Sequence, residues 1–196
     1  TRDGGVMRLE TLIADINEQM YQKIMERGEQ SEEEARATAK IIGLSAVKYG
    51  DLSNQASKDY IFDIDRFTSS EGDTGPYILY TIVRIKSILA KYVEQGGSLE
   101  GLNIHAAVNS SEKTLMLEIA KFNAMMENAC AETAPHKVCA YLYDLANAFN
   151  SFYHETKILS EEDEAKKAGW IALLSLTKDV AESCMDVLGF SAPERM

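Results

Sequence analysis

The chain has 196 residues, of which 45% are hydrophobic, and a formal net charge of −11. That apolar fraction is enough for one good core, or for a domain with an appended piece, and it excludes a disordered chain. The acidic balance excludes a broadly basic nucleic-acid surface, because neutralising phosphates needs clustered Lys and Arg.

A DNA partner is therefore not expected, and any RNA contact has to be local. No apolar run approaches the roughly 20 residues that span a bilayer, so no membrane association is expected. The opening TRDGGVMRL lacks the apolar core of a signal peptide, which points to the cytoplasm. Cys130, Cys139 and Cys184 are odd in number and widely spaced in segments of helical pattern, so buried free thiols are expected rather than disulfides. Cys130, His136 and Cys139 have no paired C-x-x-C and no evident fourth ligand, so no metal site is assigned.

In chain order, the Gly-Gly turn in TRDGGVMRL suits a hairpin or ordered loop. Leu9, Leu12, Ile13, Ile16, Met20 and Ile24 follow the helical period, which stops at Gly28. Ser31 and Glu34 have capping-box spacing, and the helix they open turns Ala35, Ala39, Ile42 and Ala46 inward. Between Gly50 and Gly75 the composition shifts to Gly, Ser, Asn, Asp and Thr around YIFDIDRF, which predicts irregular structure with one strand and a domain boundary near residue 70.

Pro76 fits the first helical position of a helix from Tyr77 to Gln95, ended by Gly96-Gly97. Ser110 or Ser111 caps a helix reaching about Ala131. Thr133 and Pro135 restart the chain as a helix with Leu142, Leu145, Phe149 and Phe152 toward the core. Ser160 with Asp163 caps a last, strongly apolar helix that Gly189 ends. Nothing alternates strand with helix, so the expected fold is all-α, a bundle of about six helices with a small irregular or helical N-terminal part.

No phosphate-cradling glycine loop and no Ser, His and Asp grouping is visible, and no residue is assigned a catalytic role. Two features stand out. Tyr80 and Arg84 lie one turn apart with Lys86 and Lys91 nearby; an exposed tyrosine can stack on a base while the guanidinium meets a phosphate. The rival is a core tyrosine beside a surface ion pair. Tyr143, Asn147, Asn150, His154 and Lys157 share one face of a helix, where amides and rings suit unpaired RNA bases; here the rival is hydrogen bonding between helices.

Several strings carry a resemblance. FDIDRF, then EGDTGPYILYTIVRIKSIL, resembles the F-D-x-D-[RK] and E-G-[DN]-T-[GA]-P-Y-x-x-Y junction of class I arginyl-tRNA synthetases, and AVKYGDLS resembles the stretch just upstream. PHKVCAYLYDLANAFNSFYHE and VLGFSAPERM are similar to the same family's later segments, and TRDGG resembles the T-R-x-G of its KMSKS-like loop. The resemblance implies a C-terminal part of such an enzyme: residues 1–70 as the tail of the catalytic region, and 71–196 as the helical DALR anticodon-binding domain.

It further implies that the full-length enzyme joins arginine to tRNA-Arg with ATP and Mg²⁺, that this part holds no cofactor and is inactive alone, and that it binds the anticodon loop as a monomer. Mapped residue by residue, the loop meets Tyr80, Arg84, Asn147, Tyr153, Lys157 and Met196. Departures from the pattern are Leu79, Thr81, Ile82 and Val83 beside the second tyrosine, and Lys157 where some relatives have an aromatic ring. Two other readings are a free-standing helical module that binds RNA or protein without ligase activity, and a structural bundle that oligomerises.

Overall fold

A computed structural model describes residues 8–196, so the expected turn at Gly4-Gly5 and the KMSKS-like string lie outside the described residues. Eight helices account for the regular structure among them: α1 (Leu9–Arg27), α2 (Glu32–Leu52), α3 (Ile64–Phe67), α4 (Gly75–Glu94), α5 (Ser110–Ala120), α6 (Phe122–Ala131), α7 (Pro135–Glu155) and α8 (Glu164–Leu188). The all-α expectation holds, with eight elements in place of about six.

The helix boundaries follow from local chemistry. Gly28 ends α1 in the left-handed region at φ 68°, where a side chain would be strained. Ser31 and Glu34 make the expected reciprocal capping box on α2. Thr74 caps α4 by accepting from the Tyr77 N–H, and the Pro76 ring sits in the first turn, where no intrahelical N–H is needed. Gly75 is required for a different reason: a Cβ there would collide with the Ser45 carbonyl, so α4 starts in direct backbone contact with α2.

Five expectations are corrected. The strand expected in YIFDIDRF is absent, and α3 forms there with the Asp63 side chain capping the Arg66 N–H; a single run of this kind has no partner strand with which to share hydrogen bonds. Asn109, not Ser110 or Ser111, caps α5, and the helix expected to run on to Ala131 breaks at Lys121, whose N–H bonds in the tighter i→i−3 manner to Glu118. Asp163 alone caps α8, accepting from Ala165 and Lys166, while Ser160 takes no part. Cys130 is exposed, whereas Cys139 and Cys184 are buried as expected.

Helix α1 lies along α2, α2 packs on α4, and α4, α7 and α8 pack on one another, with α5 and α6 covering the other side of α7. Ile78, Leu79, Ile85, Leu142, Leu145, Phe149, Phe152, Ile171 and Leu174 form the centre, each fully buried or nearly so. Tyr49 joins three parts of this arrangement: its buried hydroxyl is 2.5 Å from Asp73 Oδ1 and 2.9 Å from the Cys139 carbonyl oxygen. The turn before α4 is thereby tied to α2 and α7, and burial together with Asp73 pushes the Tyr49 ionisation far above the ordinary tyrosine value.

Burial also pushes the Cys139 and Cys184 thiols up to about 12. In native protein at neutral pH, one thiol, Cys130, is expected to react quickly with a thiol reagent such as dithionitrobenzoate, and the other two only after unfolding. Cys130→Ser should abolish the fast phase and leave stability unchanged.

Candidate nucleic-acid interface

The spacing that put Tyr77, Thr81 and Arg84 on one face of α4, and Tyr143, Asn147 and Asn150 on one face of α7, turns the two faces toward each other. Polar side chains close the contact. Asn150 is used fully: its Oδ1 accepts from the Arg84 guanidinium at 2.7 Å, and its Nδ2 donates to the Tyr77 hydroxyl at 2.9 Å and to Thr81 Oγ1 at 3.2 Å. The Tyr77 hydroxyl passes its own proton to Asn147 Oδ1 at 2.7 Å, and Thr81 donates to the Tyr77 carbonyl at 3.0 Å. Tyr143 packs its ring on Tyr77, centroids 5.7 Å apart.

So the interhelical rival accounts for the first part of the α7 stripe, Tyr143, Asn147 and Asn150, although Asn147 remains exposed at the rim. The second part faces outward. Tyr80 and Tyr153 are 38% and 37% exposed. The Arg84 guanidinium carbon sits between their rings, 4.8 Å from one centroid and 5.0 Å from the other. His154 meets Tyr153 edge-on at 5.7 Å. A cation held between two half-open rings and tied by an amide is preorganised, so a ligand that adds to it pays little ordering entropy.

Around this clamp the surface is concave. A depression of about 470 Å³ is lined by Arg27, Ser70, Glu71, Tyr77, Tyr80, Arg84, Asn150 and His154. It shares Arg84 and His154 with a groove of about 620 Å³ that adds Lys91, Tyr153, Thr156 and Lys157. It shares Arg27 and Ser70 with an apolar-walled cleft of about 340 Å³ that includes Met20, Ile24, Ile42, Pro76 and Met196. Every sequence-predicted site residue except Tyr143 and Asn147 therefore lines one continuous trough, and those two lie on its helical support.

Cations line its whole length: Lys23, Arg27, Arg84, Lys91 and Lys157, none of them in an ion pair among the described residues. The groove beside Lys91 and Lys157 contains no carboxylate; Glu71 lines the central depression, and Glu29 and Asp65 line the cleft. At the groove floor the buried Thr156 hydroxyl has no protein partner. Lys86 differs from its neighbours: its ammonium is 2.8 Å from Glu194 and 3.2 Å from Glu182. Burial opposes its charge, and the bonds from Glu194 and Glu182 outweigh that, leaving its titration above the ordinary lysine value.

Sequence reasoning missed Tyr77, Thr81, Arg27 and Thr156 as parts of the site. Tyr77 stood in the quoted G-P-Y string and had the right helical spacing from Arg84, so that signal was present. Arg27 gave none, because only the packing of α1 against α2 brings the end of α1 near α4.

Comparison with known proteins agrees with this geometry. Residues 78–196 match the family described as the DALR anticodon binding domain, and residues 1–64 match the catalytic domain of tRNA synthetases class I (R). The arginine–tRNA ligase of Agathobacter rectalis is 63% identical over 204 residues, covering 100% of this chain and 34% of that protein. That of Alkaliphilus oremlandii is 49% identical, again across 100% of this chain and 33% of the relative. The chain thus spans about a third of the length of the curated relatives it matches. Among solved structures, the arginyl-tRNA synthetase of Thermus thermophilus superposes with a TM-score of 0.86 at 25% identity, over 98% of this chain and 33% of that one. The Plasmodium falciparum enzyme gives 0.85 at 28% identity, over 97% and 34%. With a face of rings, amides and unpaired cations on α4 and α7, and a family match over most of its length, the chain belongs to the DALR anticodon-binding domain family of the arginyl-tRNA synthetases.

Proposed function

We propose that this chain is the anticodon-gripping part of an arginine–tRNA ligase, acting in the cytoplasm, and that residues 1–70 belong to its catalytic region while 71–196 form the binding domain. The observation that carries the reading is the half-exposed clamp of Tyr80, Arg84 and Tyr153, set on a chain of net charge −11 in a trough that Lys91 and Lys157 also line. Unstacked bases of the tRNA-Arg anticodon loop lie against Tyr80 and Tyr153, and the Asn147 amide with His154 meets base edges, while Asn150 braces Arg84. Lys91 and Lys157 take backbone phosphates, and Met196 closes the cleft end. The free-standing module is not favoured, because relatives matched across this whole chain are ligases.

The full-length enzyme would activate arginine with ATP and Mg²⁺. This chain carries only part of the catalytic region, the stretch matched at residues 1–64. Its contribution is orientation: binding energy gathered at the anticodon supports catalysis to the extent that it grows toward the transition state.

Titration of tRNA-Arg and a noncognate tRNA at low salt tests the reading. Tyr80→Ala and Arg84→Ala should each weaken tRNA-Arg binding by about 1–3 kcal/mol, the range for losing a stacked base. Equal affinity of wild type and both variants for both tRNAs would sink the assignment. Lys91→Ala and Lys157→Ala should instead weaken both tRNAs alike, each lowering the slope of log K against log salt by about one. Asn150→Ala strands the Arg84 guanidinium and the Tyr77 hydroxyl, and urea unfolding should register a loss of about 1–3 kcal/mol.

A further inference from the structure

We infer that Lys86 is a positioning residue for the trough: its ammonium anchors the segment after α8 so that Met196 stands as a wall of the cleft between α1 and α4. The inference rests on the RNA reading above and adds to it a residue that faces away from the RNA. Lys86 and Arg84 are two positions apart on α4 and so point to different sides of the helix. Arg84 turns to the tyrosines, and Lys86, its side chain only 17% exposed, turns to Glu182 of α8 and to Glu194.

The segment it meets has no helix to hold it. Gly189 ends α8 at φ 77°, with its carbonyl accepting from the Lys48 ammonium at 2.6 Å. Phe190 is buried with its ring edge-on to Tyr49, and Pro193 is buried. Beyond Phe190, the bond from Lys86 to Glu194 is the one hydrogen bond that residues 191–196 make among the described residues. Glu194 lies two residues before Met196, whose side chain packs on the edge of the core and lines the cleft with Met20, Ile24 and Pro76. A segment with one polar anchor takes its direction from that anchor. Glu182 keeps the ammonium in place from below, and Lys178 shares that carboxylate at 3.8 Å.

Two measurements test this on Lys86→Met, Lys86→Arg, Met196→Ala and the double variant Lys86→Met with Met196→Ala. Backbone NMR order parameters of residues 191–196 read the anchor without RNA, and titration with tRNA-Arg reads its use. Lys86→Met should lower the order parameters of 191–196 but not those of α4 or α8, and lower affinity about two- to fivefold, the range of a partly exposed ion pair. Lys86→Arg should restore both. In the Met196→Ala background, Lys86→Met should cost no further affinity, because the wall it places is gone.

Unchanged order parameters, a fall in them throughout the domain, or losses that simply add in the double variant would each overturn the positioning role. Additive losses would make Lys86 a distant charge acting on RNA directly. A wild-type protein that does not bind tRNA-Arg would remove the RNA reading and the positioning role with it, while the order parameters would still show whether the anchor holds.

Discussion

The contact on which the rest of the site depends is the one Asn150 makes between α4 and α7. Two amphipathic helices could meet there through apolar side chains alone, as they do one turn deeper at Ile78, Leu142 and Leu145. Instead a carboxamide, two hydroxyls and a guanidinium satisfy one another at 2.7–3.2 Å. Partly buried polar groups tolerate few alternative pairings, because each unmade bond costs more than a made one returns. The network therefore sets helix register, and register sets where Arg84 emerges. An apolar seam would have let α4 slide or rotate with little penalty.

From that fixed point the exposed chemistry follows. Arg84 leaves Asn150 and passes between Tyr80 and Tyr153, so the rings are braced by a cation that the core network holds in place. Stacking on such a platform is tolerant of base identity, whereas amide edges and shape are not, and the trough supplies both kinds of contact. The charge pattern serves the same end. An acidic protein repels polyanions in general, and the cations that line the trough make the attraction there a local one.

The trough is also a meeting place of the two matched regions. Arg27 and Met20 come from α1, within the stretch that resembles a catalytic domain, and Tyr80, Arg84 and Met196 come from the DALR stretch. Gly75 lets α4 start against the Ser45 backbone, and Tyr49 pins the preceding turn through Asp73. A ligand seated in the trough therefore touches side chains on both sides of that junction, and its binding energy can orient one region against the other.

Much of the fold was legible beforehand. The period of Leu142, Leu145, Phe149 and Phe152, the Ser31 and Glu34 box, and the glycine stops at Gly28 and Gly189 are local signals, and local physics realised them as expected. The strand expected near Ile61 and the unbroken helix to Ala131 failed because a strand needs a partner and a helix needs a continuous buried face, and neither is visible in a short window. The stripe on α7 was legible as unusual, but its division was not. Whether an amide on a helix face bonds a neighbour or waits for a ligand depends on what sits opposite, and that is a property of packing. By itself the sequence determined most of the helices and their ends, the core faces and the family, all of which rest on spacing along the chain. Only tertiary structure decided that Asn150 braces while Tyr80 and Tyr153 face solvent, that Lys86 turns from Arg84 toward Glu194, and that Arg27 reaches the trough, because those outcomes depend on distances between residues far apart in sequence.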